Sequence, residues 1–251
     1  MRLLLHELRA QQRLFWRNRE AAFFSFLFPI VLLVLVGSVY SDDPIDGVPA
    51  STYILIGLLG YGVAANAFAA LAITLVVRRE AGLLKRVRGT PLGPGTYLAA
   101  VIASTLVVIA LQVAAQLALG RWVLGADLPE RPLAFAAAVL LGAAAFSALG
   151  IAVTAAVRSA KGSSAVVNAI YLPMAFISGV FFSREEMPAF LQAVSELLPL
   201  TYLLELLQAS FVPGEPFGGG AIAAVAVWGV LGLAVAVRMF RWEPREGMTG
   251  A

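Results

Sequence analysis

Long apolar runs dominate the chain, and short charged or polar segments separate them. The runs cover residues 21–40, 51–77, 95–119, 133–157, 165–182 and 217–237, and none contains Asp, Glu, Lys or Arg. A helix needs about 20 residues to cross a hydrocarbon core of about 30 Å, and the runs have roughly this length. Backbone groups in lipid must bond one another, so the pattern predicts an all-α membrane protein with six transmembrane helices.

Composition supports lipid as the solvent for much of the surface. Hydrophobic residues make up 60% of the 251 residues and charged residues 13%. A soluble domain has about 45–50% apolar and about 25% charged residues. The whole chain, 1–251, is therefore interpreted as one transmembrane domain. Its abundance of arginine, alanine and glycine suggests a GC-rich bacterium, and so the cytoplasmic (inner) membrane.

The basic residues predict the orientation, because Lys and Arg concentrate in cytoplasmic loops. With the N-terminus in the cytoplasm, 15 of the 18 basic residues fall on the inner side, and only Arg121, Arg131 and Arg184 fall outside. Both termini are then cytoplasmic, which agrees with an even number of spans.

Residues 187–211 are also apolar and long enough to cross, but they contain Glu196 and Glu205 and are interrupted by Pro199. A charge at the bilayer centre costs at least about 2.5 kcal/mol. A seventh crossing would also move the C-terminal arginines outside. The segment is therefore predicted to be a helix–break–helix hairpin that enters from the outer side.

Residues 2–19, before the first run, have the spacing of an amphipathic helix. One face of the helical wheel is basic, and leucines, Phe15 and Trp16 lie opposite. Such a helix lies in the headgroup plane, with arginines on lipid phosphates and leucines in the acyl boundary. We therefore expect membrane lipids as partners of its arginine face, which consists of Arg2, Arg9, Arg13 and Arg17.

The segment between the second and third runs, residues 78–94, is a short basic helix followed by a turn at Gly89 and Pro91. Its residues Glu80, Gly82, Leu84, Thr90 and Pro91 match the pattern E-x-G-x-L-x-x-x-x-x-T-P. Residues 173–182 likewise match P-x-x-F-x-S-G-x-x-F. In order and placement, both stretches resemble the type-2 ATP-binding-cassette (ABC) permeases, the membrane subunits of drug and polysaccharide exporters.

This resemblance implies a six-helix permease that works as a dimer, of two copies or of this chain and a paralogue, and drives efflux with a separate ABC ATPase. ATP and Mg²⁺ would bind in that partner, and multidrug resistance is one expected outcome. The substrate is expected to be hydrophobic or amphipathic. The resemblance assigns contact with the ATPase to a coupling loop that consists of Arg79, Glu80, Gly82, Leu83, Leu84, Arg86, Val87, Arg88, Thr90 and Pro91.

The residues that other kinds of functional site require are absent from the sequence. The chain has no G-x-x-x-x-G-K-[ST] nucleotide loop, no H-E-x-x-H and no cysteine, so we expect no catalytic, cofactor or metal site in it. Its basic residues follow the membrane face, which disfavours nucleic acid as a partner. Two alternatives remain: a membrane scaffold or assembly factor that transports nothing, and an ion-coupled secondary carrier, although such carriers usually have ionisable residues inside their spans.

A few neutral polar residues lie inside the runs. Asn66 and Asn168 are expected to form hydrogen bonds between helices. Gln112 and Gln116 are four residues apart and share a helix face. For this pair, lining a translocation path and bonding between helices both stay open. Pro29 lies inside the first run and should kink its helix.

Overall fold

The computed structural model describes residues 2–39, 44–45, 48–90, 92–212, 214 and 217–243. Apart from one bridge between Ile45 and Val48, the secondary structure of these residues is helical. The α-helices are α1 (Arg2–Arg17), α2 (Arg19–Ala22), α3 (Phe28–Val39), α4 (Ala50–Ala64), α5 (Leu71–Glu80), α6 (Leu83–Arg88), α7 (Pro94–Val123), α8 (Pro132–Val153), α9 (Ala160–Ile177), α10 (Ala189–Ser195), α11 (Pro199–Phe211) and α12 (Gly219–Met239). The prediction of an all-α membrane protein agrees with this architecture.

Within the described residues, two π-helical turns interrupt otherwise continuous helices. The first, Phe23–Leu27, joins α2 to α3, and the second, Ala65–Ala70, joins α4 to α5. Pro29 lacks an N–H, and in an α-helix its ring would clash with the carbonyl of Ser25. The first π turn ends two residues before Pro29, so the helix is irregular next to the proline. The kink itself stays a prediction.

The continuous helix Ala50–Glu80, which consists of α4, the second π turn and α5, forms the centre of the bundle. It is 31 residues long, and the rest of the chain buries 89% of its most apolar stretch. It contacts α3, α7, α8, α9 and α11. At Gly150 of α8, a Cβ atom would lie 2.8 Å from the carbonyl oxygens of Ala67 and Phe68. The absence of a side chain there lets α8 pack directly against the second π turn.

By length and composition, four helices in the described part of the chain can cross a membrane: Ala50–Glu80, α7, α8 and α12. The pair α10 and α11 could make a fifth span if counted as one, although its helices meet at 83°. Six crossings would also require residues 19–39 and α9 to span. That number therefore stays a prediction.

The observed boundaries differ from the predicted ones mainly in the fourth and fifth helices. The α8 helix ends at Val153 rather than at residue 157, and α9 covers Ala160–Ile177 rather than 165–182. The side chain of Ser159 accepts the N–H of Gly162 and so begins α9 early. Gly179, at φ +88°, lies in the turn that follows it.

Candidate functional site

The basic loop after α5 contains the short helix that the sequence predicts there. Gly82 adopts a left-handed conformation (φ +71°) after α5, and α6 follows it. This α6 helix ends at Arg88, and the hydroxyl of Thr90 donates to the Val87 carbonyl at 2.8 Å. Pro91, the last residue of the predicted coupling loop, lies outside the described residues.

The loop has an inner and an outer face. Leu84 is fully buried in a cluster with Leu71, Leu75 and Tyr97. Leu84 thus anchors the loop rather than offering a surface for a partner. The outer face contains an exposed leucine among cations, namely Leu83, Lys85, Arg86 and Arg88. Arg88 forms a half-exposed ion pair with Glu243 at 3.4 Å.

Arg79 and Glu80 connect the loop to the segment between α8 and α9. Arg79 is only 6% exposed, and its guanidinium donates to the carbonyls of Thr154 at 2.9 Å and Val157 at 2.7 Å. The Glu80 carboxylate accepts the backbone N–H of Ala160, the first residue of α9. These two predicted loop residues therefore bind this chain itself.

The N-terminal helix packs against α7 through glutamines. Gln12 donates through Nε2 to both the carbonyl and the hydroxyl oxygen of Ser104, each at 2.9 Å. Gln11 is 5% exposed and donates to Glu7 at 2.6 Å. The arginines Arg9, Arg13 and Arg17 are exposed, as are the apolar Leu3, Leu5, Leu14 and Trp16. Of Arg2, only the backbone is described.

A chain of buried side-chain hydrogen bonds links three helical segments. Ser25 donates to Asn66 Oδ1 at 2.7 Å, and Asn66 Nδ2 donates to Gln112 Oε1 at 2.8 Å. Gln112 Nε2 donates to Gln116 Oε1 at 2.7 Å, and Gln116 Nε2 donates to the Leu58 carbonyl at 3.2 Å. The expected interhelical bonding of Asn66 is confirmed, and the chain joins the two π turns.

Close packing fixes this polar chain in place. A Cβ atom at Gly62 would lie 1.6 Å from Gln112 Nε2, so only glycine leaves room for the amide. Gln112 is 1% exposed and Gln116 is 0% exposed. In this conformation the pair lies inside the subunit and bonds between helices. Asn168 instead donates to Ser164, one turn away on its own helix.

A cavity of about 410 Å³ opens between α1, the Ala50–Glu80 helix and α7. Its polar lining includes Gln11, Asn18, Arg78 and Ser104, and Asn66 of the polar chain contributes as well. Leu83 of the coupling loop lines it too. The cavity therefore brings together the N-terminal helix, the loop and the polar chain.

Sequence reasoning assigned no role in a site to Arg78, Gln12 or Ser25. One signal was available: Gln11 and Gln12 interrupt the apolar positions of the N-terminal helix, which indicates contact with protein. Ser25 carries no such signal in the sequence, because its partner Asn66 is 41 residues away.

At the opposite end, the predicted hairpin bends where proline was expected to break it. The α10 helix ends at Ser195 and α11 begins at Pro199, with 83° between them. Glu205 forms an ion pair with Arg184 at 3.0 Å, and both side chains are more than one-third exposed. Glu196 is exposed. Apart from Tyr202, Glu205 and Gln208, the residues of α11 are buried. The break itself is not covered by this chain, because Glu196 and Leu197 are exposed there.

Comparison with known proteins agrees with this architecture. The family described as "ABC-2 type transporter" matches residues 3–212. A Bacillus subtilis (strain 168) protein described as "Putative transport permease YvfS" is 23% identical over 202 residues, which cover 79% of this chain and 81% of that protein.

A second relative matches a shorter part. An Escherichia coli (strain K12) protein described as "Probable multidrug ABC transporter permease YbhS" is 31% identical over 93 residues, which cover 37% of this chain and 23% of that protein. The match of the family to most of the chain agrees with the long apolar helices and the basic loop that joins two of them. The chain therefore belongs to the ABC-2 type transporter family and is the membrane subunit of an ABC transporter, which by family works with an ABC ATPase.

Proposed function

We propose that this subunit forms half of an ATP-driven export path in a bacterial inner membrane. Two subunits, each with six crossings and both termini in the cytoplasm, assemble with two ATPase chains that hold the ATP and Mg²⁺. The two-faced coupling loop carries the proposal. Its outer face presents one leucine among cations, and its inner face is bonded into the helix bundle.

The inner contacts give the loop a route into the bundle. Movement of α6 would pull on Arg79 and Glu80, which bind the connection between α8 and α9. The charged hydrogen bonds of Arg79 are stronger than neutral ones and resist that pull. Displacement of the loop would thus be passed to α9 and to the turn that follows it.

That turn leads to the outer hairpin. Tyr53 of the central helix donates to the carbonyls of Gly179 at 2.9 Å and Phe182 at 3.0 Å. Arg184 then reaches across to Glu205 of α11. In the proposed cycle the hairpin, which lies within the outer half of the membrane, moves when the loop moves and opens the path outward.

The proposed substrates are hydrophobic or amphipathic molecules, drugs among them. The description of the E. coli relative as a multidrug permease supports this class, although it matches only part of the chain. Efflux and multidrug resistance are the corresponding cellular outcomes. The exposed arginines and apolar side chains of α1 support a position of that helix at the headgroup surface.

A double variant that places acidic side chains on the outer face of the loop tests the coupling contact. The double variant Leu83→Asp/Arg86→Glu changes only exposed positions, so folding should survive while co-purification of the ATPase and substrate export are lost. Arg121→Glu, an exposed charge at the other end of α7, is the matched control and should retain both. Undiminished assembly of the double variant would refute the role of the loop. Normal assembly without ATP-driven export in the wild type would favour a scaffold.

Sidedness is tested with single cysteines, since the native chain has none. In intact cells a membrane-impermeant maleimide should label Arg121→Cys and leave Lys85→Cys unmodified until the membrane is opened. Labelling of Lys85→Cys from outside would place the loop away from the ATPase and overturn the proposal.

A further inference from the structure

The cavity beside the N-terminal helix has the size of a ligand site. Its volume of about 410 Å³ lies within the range of about 300–1,000 Å³ that is usual for pockets holding small molecules. Residues of α1, the Ala50–Glu80 helix, the coupling loop and α7 line it. Neither the polar chain nor the coupling contacts fill this space.

The lining of the cavity extends along the central helix, Ala50–Glu80. Asn66 lies at one end and Arg78 at the other, and twelve residues of helix separate them, a rise of about 18 Å. The wall between these ends is mostly apolar and includes Phe15, Ile73, Val77, Val101 and Val108. An apolar wall that follows the central helix in this way suits a hydrocarbon chain extended along it.

One end of the cavity is cationic. Among the described residues that line it, Arg78 is the single charged one and none is a carboxylate. One guanidinium nitrogen of Arg78 donates to the hydroxyl of Tyr97 at 2.9 Å, and Arg78 forms no ion pair within the part of the chain that the structure describes. A guanidinium has five N–H donors and binds carboxylates and phosphates well. Glu7 instead accepts from Gln11 and stays outside the lining.

We propose that this cavity binds an anionic, single-chain amphiphile, with its carboxylate or phosphate on Arg78 and its hydrocarbon chain directed along the apolar wall toward Asn66. A cationic amphiphile would place like charges together. An uncharged one would leave the part-buried guanidinium without a counterion. The site is defined on the permease alone and does not depend on coupling to an ATPase.

Binding is measured with the purified subunit in nanodiscs of uncharged phosphatidylcholine, with empty nanodiscs as blank. A fluorescent carboxylate probe, 11-(dansylamino)undecanoic acid, reports occupancy, and laurate should displace it. Dodecyltrimethylammonium and methyl laurate have matched chains without the negative charge and should displace it far more weakly. Laurate added from solution and lysophosphatidylglycerol placed in the disc represent the aqueous and bilayer sources. The one of these two amphiphiles that displaces the probe at the lower concentration indicates whether the ligand comes from solution or from the bilayer.

Variants separate the head and chain contacts. Arg78→Gln should weaken probe binding about tenfold or more, because a charge-assisted contact is lost. Lys85→Gln removes an exposed cation of the same basic segment, residues 78–94; it is the matched control and should not change probe binding. Thr105→Phe places a ring in the apolar part and should weaken binding with Arg78 intact.

Tyr97→Phe keeps the guanidinium and should preserve the preference for anions. The proposal is overturned if wild-type protein binds no probe above the blank, if the three matched amphiphiles compete equally, or if Arg78→Gln and Lys85→Gln bind alike. Each variant is first checked for a monodisperse elution profile. Failure of this assay leaves the ATPase contact untouched, and loss of that contact leaves the binding result standing.

Discussion

Gly62→Ala is the substitution for which the structure predicts the clearest effect. The added methyl carbon would lie 1.6 Å from Gln112 Nε2, and ordinary contact begins near 3.4 Å. The amide would therefore have to move by almost 2 Å, away from its bonds to Asn66 and Gln116. Overpacking of a core costs typically about 1–3 kcal/mol. We expect a loss of stability in that range despite the better helix propensity of alanine.

The effect of Gly62→Ala on the free energy of unfolding should change sign when the side chain of Gln112 is shortened. In Gln112→Ala the amide that occupies the space is gone, so the methyl group at position 62 has room. Alanine is then favoured over glycine inside a helix by up to about 1 kcal/mol. Gln112→Ala alone should cost about 1–2 kcal/mol through its lost interhelical bonds. The double variant should therefore be no less stable than Gln112→Ala.

Unfolding in micelles, followed through the four tryptophans, measures these free energies for the wild type, both single variants and the double variant. Gly220→Ala is the control, because a Cβ atom at that position of α12 meets nothing within 4 Å. It should leave stability unchanged or raise it slightly. An equal loss from Gly62→Ala in both backgrounds would mean that the amide of Gln112 does not occupy this space, and the reasoning would be refuted.

Three further predictions use the same unfolding assay. Arg79→Leu should destabilise by about 3 kcal/mol, because two buried carbonyls lose a charged donor, and a loss below 1 kcal/mol would contradict the assigned bonds. Glu80→Ala should lower the free energy of unfolding by about 1 kcal/mol, as for a lost helix cap. Glu80→Gln should recover part of this loss, and equal stability of the two variants would argue against the cap. Arg184→Ala should change stability by less than about 1 kcal/mol, because its pair with Glu205 is more than one-third exposed; a larger loss would indicate a buried role.

The apolar pattern was sufficient to predict the helices of the bundle, because the backbone groups of each long apolar run must form hydrogen bonds with one another in lipid. The break at Pro199 and the short basic helix before Gly89 were likewise local, set by residues that cannot continue a helix. Boundaries were less accurate around α9. Its start depends on the cap by Ser159 and on Glu80, which lies 80 residues from its partner Ala160.

The function of individual loop residues was not readable from spacing. Leu83 and Leu84 are adjacent leucines, yet one is 45% exposed and the other fully buried. Arg78 and Arg79 are adjacent arginines, yet one lines the cavity and the other bonds the connection between α8 and α9. Neighbours on a helix point about 100° apart, and only the packing of other helices decides which direction is inward.

The sequence by itself determined that the chain lies in a membrane as helices, that the chain breaks at Pro199 and after the short basic helix, and which end of the bundle is basic. These features depend on local hydrophobicity, charge and residues that cannot continue a helix. Tertiary structure alone decided that Ser25, Asn66, Gln112 and Gln116 form one chain and that α1 encloses a cavity with an arginine at one end. Those features need groups far apart in sequence to meet at hydrogen-bond distance, and the packing of helices sets that distance.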